Sequence, residues 1–158
     1  MGYYQIGQAC RNGHPTTGNA DHDNASPFCP DCGEVTITAC EHCQGAIRGN
    51  YYSDMSFSLS LWVPPQHCYQ CGAPYPWTAR KLAAAKEMAD AIEELTDHER
   101  EQLVELMPHL IQETPRTSVA GFKVGTIWAK IKGPGKEAFK DVLMDIAVDA
   151  GKKALGFG

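Results

Sequence analysis

Seven cysteines constrain this chain of 158 residues more than any other feature, because all lie between positions 10 and 71 in close pairs or beside a histidine. A tetrahedral zinc ion takes four thiolate or imidazole ligands, and a spacing of two or three residues lets one tight turn supply two of them. Three Cys-x-x-Cys motifs and one Cys-x-x-x-His motif predict two zinc ions held by eight ligands: Cys10, His14, Cys29, Cys32, Cys40, Cys43, Cys68 and Cys71.

Disulfides, another metal and another ligand pairing are the alternatives to this prediction. Disulfides are disfavoured because the number of cysteines is odd and the start lacks the basic flank and apolar run of a secretory leader. The same features predict a reducing, cytoplasmic location. Iron is the alternative metal, because rubredoxin-like knuckles hold it with four sulfurs. Sequential pairing, in which the first two motifs share one ion and the last two share the other, is favoured over a cross-brace, because each loop then closes separately.

The periodicity of the chain changes near residue 77, and this predicts an α+β protein with two regions. Residues 1–77 are expected to form a double zinc ribbon of short β-hairpins. Residues 34–38 alternate apolar and polar side chains, and residues 47–52 are a candidate second strand. Residues 56–63 alternate more clearly, with Phe57, Leu59, Leu61 and Val63 expected to face inward.

Residues 78–158 are predicted to be helical, with about four helices. The first spans about 79–95, with Thr78 as its N-cap, and the second runs from the capping-box pair Thr96 and Glu99 to about residue 113. Apolar stripes at helical spacing predict two further helices over about 118–131 and 136–155.

Charge is distributed unevenly along the chain. The whole chain has a formal net charge of −5, but residues 1–77 are at −4 before metal thiolates are counted, whereas residues 115–158 are at +4. Phosphate binding needs clustered Lys and Arg, yet the ribbon region has no lysine and only two arginines. The charge therefore disfavours nucleic acid as the partner of the ribbon.

No catalytic motif accompanies the cysteines. The chain lacks His-Glu-x-x-His, a deaminase motif, a phosphate-binding Walker loop, a nucleophile elbow and a Rossmann glycine pattern. Eight ligands occupy all four coordination positions of two tetrahedral ions and leave none for a reacting water. The sequence therefore predicts that the protein is not an enzyme and that both zinc ions are structural.

The function expected from the sequence is that of a noncatalytic zinc-binding interaction or scaffold module. It is predicted to bind a protein partner, or itself, through the ribbon surface and the C-terminal helices, and the candidate surface residues are Arg48, Tyr51, Trp62 and Trp77. The alternatives are a nucleic-acid-binding zinc ribbon and, more weakly, a peripheral membrane-contacting adaptor. No apolar stretch is long enough to predict a transmembrane segment.

The complete motif set supports this expectation through a resemblance to a known family. The segments CRNGH, CPDCG, CEHCQGAIRGNYY and CYQCGAPYPWT, with PRTSVAGFK and DIAVDAGKKALG in the tail, resemble a bacterial family catalogued as a domain of unknown function. The resemblance covers nearly the whole chain and implies a cytoplasmic double zinc ribbon with a helical C-terminal region. It implies no particular reaction.

Overall fold

The computed structural model describes residues 1–21, 25–55 and 61–157, and the chain divides into two compact units, Met1–Ala79 and Arg80–Gly158. Within the described residues there are five short strands: β1 (Tyr3–Ile6), β2 (Gln8–Cys10), β3 (Pro15–Thr17), β4 (Thr36–Ile37) and β5 (Arg48–Tyr52). Five helices follow them: α1 (Pro76–Ala91), α2 (Asp97–Leu110), α3 (Thr117–Lys130), α4 (Gly135–Ile146) and α5 (Asp149–Leu155). Short antiparallel strands followed by helices confirm the predicted α+β class.

The strands of the first unit form two small antiparallel sheets. One is the pair β1–β5, and the other has the order β3–β2–β4. Gly49 allows a very close approach within this unit, since a Cβ built on it would lie 2.1 Å from the carbonyl oxygen of Gly18. The alternating residues 34–38 contribute β4, whose Ile37 pairs with Ala9 and whose Thr36 pairs with Cys10. This pairing places Cys10, at the end of β2, beside the strand that follows Cys29 and Cys32.

The strand expected over residues 56–63 differs from what the structure shows. Residues 56–60 lie outside the described part of the chain, and residues 61–63 are not in a strand. Leu61 and Val63, expected to face inward, are 93% and 75% exposed. Trp62 packs instead against the core of the first unit, and its indole N–H donates to the Arg48 carbonyl at 2.9 Å. The inward and outward positions are therefore inverted here, because the large indole takes the packed position and its hydrogen bond fixes it there.

The apolar core of the first unit is small. It contains six buried residues: Ala9, Cys40, Ile47, Cys68, Tyr75 and Trp77. The rings of Tyr75 and Trp77 stack with centroids 4.7 Å apart, and the Trp77 indole N–H donates to the Pro65 carbonyl at 2.9 Å. Among the described residues of this unit, the apolar cluster is thus small for a unit of nearly eighty residues.

The second unit has a larger core drawn from all of its helices. The capping box predicted at the start of the second helix is confirmed: the backbone N–H of Glu99 donates to Thr96 Oγ1, and the Thr96 N–H donates to the Glu99 carboxylate. The same carboxylate accepts from Lys130 Nζ at 2.6 Å and so links α2 to the end of α3. The largest buried side chains of this core are Leu103, Met107, Leu110, Val124, Ile131, Phe139 and Leu143.

Helix ends differ from the sequence prediction by a few residues, and two of the differences have a clear physical reason. Thr78 is not an N-cap, because the helix begins at Pro76 and the Thr78 hydroxyl donates to the carbonyl of Gln66 at 2.8 Å. The long last helix is two helices, since Ala147 has an extended backbone and the N–H of Val148 donates to the Leu110 carbonyl at 2.8 Å. That tertiary hydrogen bond replaces a helical one and lets α5 pack against α3.

The helices of the described residues are too short or too polar to cross a bilayer.

Candidate metal centres

The eight predicted ligands come together in two groups of four. The first group is Cys10, His14, Cys29 and Cys32, and the second is Cys40, Cys43, Cys68 and Cys71. Within each group the potential ligand atoms all lie within 4.8 Å of one another. The grouping follows the sequential pairing and not the cross-brace, and all seven cysteines are free of disulfide bonds.

The first group has the dimensions of a tetrahedral metal site. A tetrahedron with metal–sulfur bonds of about 2.3 Å and metal–nitrogen bonds of about 2.0 Å has S···S edges of about 3.8 Å and S···N edges of about 3.5 Å. The sulfurs of Cys10 and Cys32 are 3.8 Å apart, and His14 Nδ1 lies 3.5 Å from the sulfurs of both Cys10 and Cys29. A disulfide would bring sulfurs to about 2.05 Å. The residues therefore fit a zinc-sized ion.

The second group has the same dimensions with four sulfurs. Cys40 and Cys71 are 3.8 Å apart, and Cys43 and Cys68 are 3.7 Å apart. Both groups therefore have the geometry of four-ligand sites of the zinc-ribbon type.

The three Cys-x-x-Cys turns share one backbone arrangement. In the first of them, the N–H of Gly33 donates to the Cys29 carbonyl at 2.8 Å, and the N–H of Cys29 donates to the Glu34 carbonyl at 2.8 Å. The turns at Cys40 and Cys68 repeat both bonds at the same spacing. The residue after the second cysteine has positive φ in each turn, and it is Gly33, Gln44 and Gly72 respectively. Two of these turns thus use glycine where a side chain is disfavoured, and one does not.

The Cys-x-x-x-His turn is shaped by Gly13. Its φ is +90°, and a Cβ built on it would lie 2.8 Å from the Cβ of Trp77. Glycine is therefore required both for the backbone angle and for close packing on the buried indole. The Cys10 N–H donates to the His14 carbonyl at 3.1 Å, which closes the turn and returns the imidazole to the sulfur of Cys10.

Hydrogen-bond donors around the sulfurs favour thiolate in one cysteine of each group. The side-chain amide of Asn12 donates to Cys32 Sγ at 3.5 Å and is the main reason why the pKa of Cys32 falls to about 6. Burial alone would raise the pKa of Cys68, but the backbone N–H groups of Cys71 and Gln70 lower it to about 6. Thiolate is the metal-binding form, so these donors prepare the groups for a cation.

A second cysteine in each group shows the opposite shift. Burial raises the pKa of Cys10. The N–H of Gly45 would lower the pKa of Cys43, but burial and the neighbouring thiols raise it to about 12. Thiolates held within 4.8 Å of one another repel, so a divalent cation would allow the whole group to ionise.

The predicted partner-surface residues have different outcomes. Arg48 and Tyr51 are exposed, and Trp62 is half-buried. Trp77 is only 1% exposed, so its assignment to the surface is corrected: it lies in the core of the first unit under Tyr75 and Gly13. Its apolar area is larger than that of any other residue there, and packing it stabilises the small core.

The surface around Arg48 and Tyr51 includes aromatic residues that the sequence analysis did not assign to it. Strands β1 and β5 align two tyrosine pairs, Tyr3 opposite Tyr52 and Tyr4 opposite Tyr51, with ring centroids 5.4 and 5.2 Å apart. All four rings are about half exposed. These four residues are called the tyrosine ribbon below. The signal in the sequence was the repeated Tyr-Tyr pair, but only the pairing of strands brings the two copies together.

Arg48 extends the tyrosine ribbon towards the second metal group. Its guanidinium carbon lies 4.7 Å from the Tyr4 ring centroid and 4.0 Å from that of Tyr69, which lies between Cys68 and Cys71. The other arginine of the ribbon region, Arg11, pairs with Glu41. The Cys68–Cys71 turn therefore also positions one aromatic side of this surface.

The fold and the two four-ligand groups define a protein of the zinc-ribbon kind joined to a helical unit. A family profile described as "Uncharacterized protein conserved in bacteria (DUF2321)" matches residues 3–155, and the chain belongs to this family. Searches of curated proteins and of solved structures found no match.

Proposed function

We propose that this protein is a noncatalytic interaction module in which two structural zinc ions hold the first unit folded and the tyrosine ribbon binds a protein partner. The main observation in support of the proposal is that each metal group offers four side-chain ligands at tetrahedral spacing, which is a complete set for one ion. Four protein ligands leave no position for a reacting water. The metal then supplies stability, and the surface that it stabilises supplies the function.

Zinc is the metal best suited to both groups. The first group mixes one imidazole nitrogen with three sulfurs, a donor set typical of structural zinc, whereas rubredoxin-type iron takes four sulfurs. Zinc has no redox chemistry and no preferred geometry other than that of its ligands. It therefore suits a group whose role is to join distant segments of the chain.

The tyrosine ribbon has the composition of a protein-binding surface. Tyrosine offers a large apolar ring and a polar hydroxyl at low cost in side-chain entropy, and it is enriched at interfaces with Trp and Arg. Arg48, held between Tyr4 and Tyr69, has its guanidinium orientation restricted before a partner arrives. Pre-organisation of this kind lowers the entropic cost of binding.

Charge favours protein over nucleic acid as the partner. Residues 1–77 have a net charge of −4, and zinc bound by three or four thiolates adds further negative charge. With Arg11 paired to Glu41, Arg48 is left as a single cation in this region. A nucleic acid would meet repulsion that one arginine cannot offset.

Site-specific crosslinking tests the proposal. A photocrosslinking amino acid placed at position 51, in full-length zinc-loaded protein inside the native cell, should give a discrete protein adduct whose mass identifies another protein or a second copy. The matched control is position 28, where Phe28 is 58% exposed in the same unit but pairs with Val35 and belongs to neither β1 nor β5. Arg48→Ala should remove the adduct at position 51.

Three results would contradict the proposal. Equal adducts at positions 51 and 28 would mean that contact is unspecific. An adduct with RNA or DNA alone would assign the ribbon to nucleic acid. A protein with fewer than two zinc ions per chain by native mass spectrometry, or with turnover that depends on its metal, would contradict the structural role of the zinc.

A further inference from the structure

The outer face of α3 exposes apolar side chains that the helical core does not use. Phe122 is 70% exposed and Val119 is 54% exposed, while Ala120, Val124 and Ile127 on the opposite side of the helix are buried. Residues three positions apart are neighbours on a helix surface. Phe122 and Val119 therefore form one apolar projection, and it is called the α3 outer face below.

Cations lie on α3 and on the helix packed beside it. The sequence of α3 contains no Asp or Glu, and Lys123 follows Phe122 directly. Helix α5 packs alongside, since a Cβ built on Gly121 would lie 2.7 Å from the Cβ of Ala154, and the last turn of α5 carries Lys152 and Lys153. Arg116 lies at the start of α3.

These cations lack carboxylate partners within the described residues. Ion pairs are formed there by Lys130 with Glu99 and by Lys81 with Asp145, but not by Lys123 or by the lysine pair of α5. The α3 outer face thus exposes apolar side chains on a helix that contains lysine and no carboxylate, beside a helix that ends in two lysines, in a chain whose formal net charge is −5.

We propose that the α3 outer face docks on a phospholipid bilayer that carries anionic headgroups. A single helix surface is convex and gives a peptide no groove, whereas a fluid bilayer accepts a protruding Phe and Val between its headgroups. Lys and Arg around such a projection attract anionic lipid, and their apolar stems extend along the interface. Nucleic acid would match the cations but would leave Phe122 without a role.

The α3 outer face belongs to the second unit and the tyrosine ribbon to the first, and the inference does not depend on the proposed function. The acidic residues 1–77 would be repelled by the same bilayer. Loss of one surface should leave the other active, so variants on α3 and variants on β5 distinguish the two.

Vesicle co-sedimentation of the full-length, zinc-loaded protein tests the inference. The protein should sediment with phosphatidylcholine vesicles that contain phosphatidylglycerol and not with pure phosphatidylcholine, and added salt should release it. Phe122→Ser should weaken binding about tenfold, because the benzyl group is no longer buried. Lys123→Gln should weaken it about fivefold through the loss of one interfacial cation.

Matched controls separate this surface from general effects of apolarity and charge. Phe28→Ser removes an aromatic ring that is 58% exposed in the first unit, and Lys86→Gln removes an exposed lysine of α1. Both should bind vesicles like the wild type. Because Phe122 and Lys123 are exposed, their substitution should leave the circular dichroism unchanged.

Several outcomes would overturn the inference: no binding to the anionic vesicles, equal binding to both vesicle types, or full binding by Phe122→Ser. Binding of soluble polyglutamate that depends on Phe122, without vesicle binding, would assign the α3 outer face to an acidic protein instead.

Discussion

Alanine at Gly33 or Gly72 should weaken zinc binding at one metal group and leave the other unchanged. These glycines have φ of 72° and 73°, and a Cβ built on either meets nothing within 4 Å. The cost is therefore one of backbone conformation, about 1–2 kcal/mol for an L-residue in the left-handed region. Reduced entropy of the unfolded chain offsets about 0.5–1 kcal/mol of this cost, which leaves a net effect of about 1 kcal/mol.

The Cys40–Cys43 turn supplies the reverse experiment. Gln44 has φ of 61° at the equivalent position, and its side chain makes only a long, exposed contact of 3.4 Å with the Glu41 carbonyl. Gln44→Gly should therefore stabilise this turn by about 1 kcal/mol. Ordering of the turn is coupled to zinc binding, because the ligands are brought together only in the folded turn. Each of these substitutions, at about 1 kcal/mol, should therefore change the zinc affinity about fivefold.

Chelator competition measures these affinities, and cobalt spectra separate the site with a nitrogen ligand from the site with four sulfurs. Gly135→Ala is the control, since this glycine begins α4 without positive φ and has no neighbour within 4 Å of a built Cβ. Unchanged affinity in both Gly33→Ala and Gly72→Ala, or weaker binding in Gln44→Gly, would refute the argument that left-handed backbone limits these turns.

Other variants test single contacts. Cys68→Ser should leave one zinc per chain in native mass spectrometry, because the first group keeps its own four ligands; two retained zincs would contradict the ligand assignment. Lys130 and the N-cap of α2 lower the pKa of Glu99 to about 2, from an ordinary value of 4.5. The stabilisation by Glu99 should be complete above about pH 4.5 and disappear as the pH falls through about 2. The difference in urea unfolding between wild type and Glu99→Gln should shrink over this range, and a constant difference would argue against the ion pair. Gly49→Ala should destabilise the first unit by about 1–3 kcal/mol, since its Cβ would overlap the Gly18 carbonyl; an unchanged melting temperature would contradict that close approach.

The metal groups were the part of the structure most accessible to sequence reasoning. Ligand spacing in a Cys-x-x-Cys turn is local, so the residue types and their separations carry the information directly. The capping box of Thr96 and Glu99 was equally local, and the structure confirms it. The apolar stripes predicted most of the helices for the same reason, although the observed helix ends differ from the predicted ones by a few residues.

Nonlocal contacts account for the errors. The break at Ala147 depends on a hydrogen bond from Val148 to Leu110, which no periodicity within residues 136–155 reveals. The inverted packing around Trp62 depends on the carbonyl of Arg48, which is 14 residues away in sequence.

The sequence by itself determined that eight potential metal ligands would occur in four short motifs, and that helices would follow the strands of an α+β chain, because both properties arise from local spacing. Only the tertiary structure decided which side chains remained on the surface. It buried Trp77 beneath Gly13, paired the tyrosines of β1 and β5 beside Arg48, and left Phe122 exposed on α3. Burial depends on which distant segments pack together, and that is a property of the folded chain.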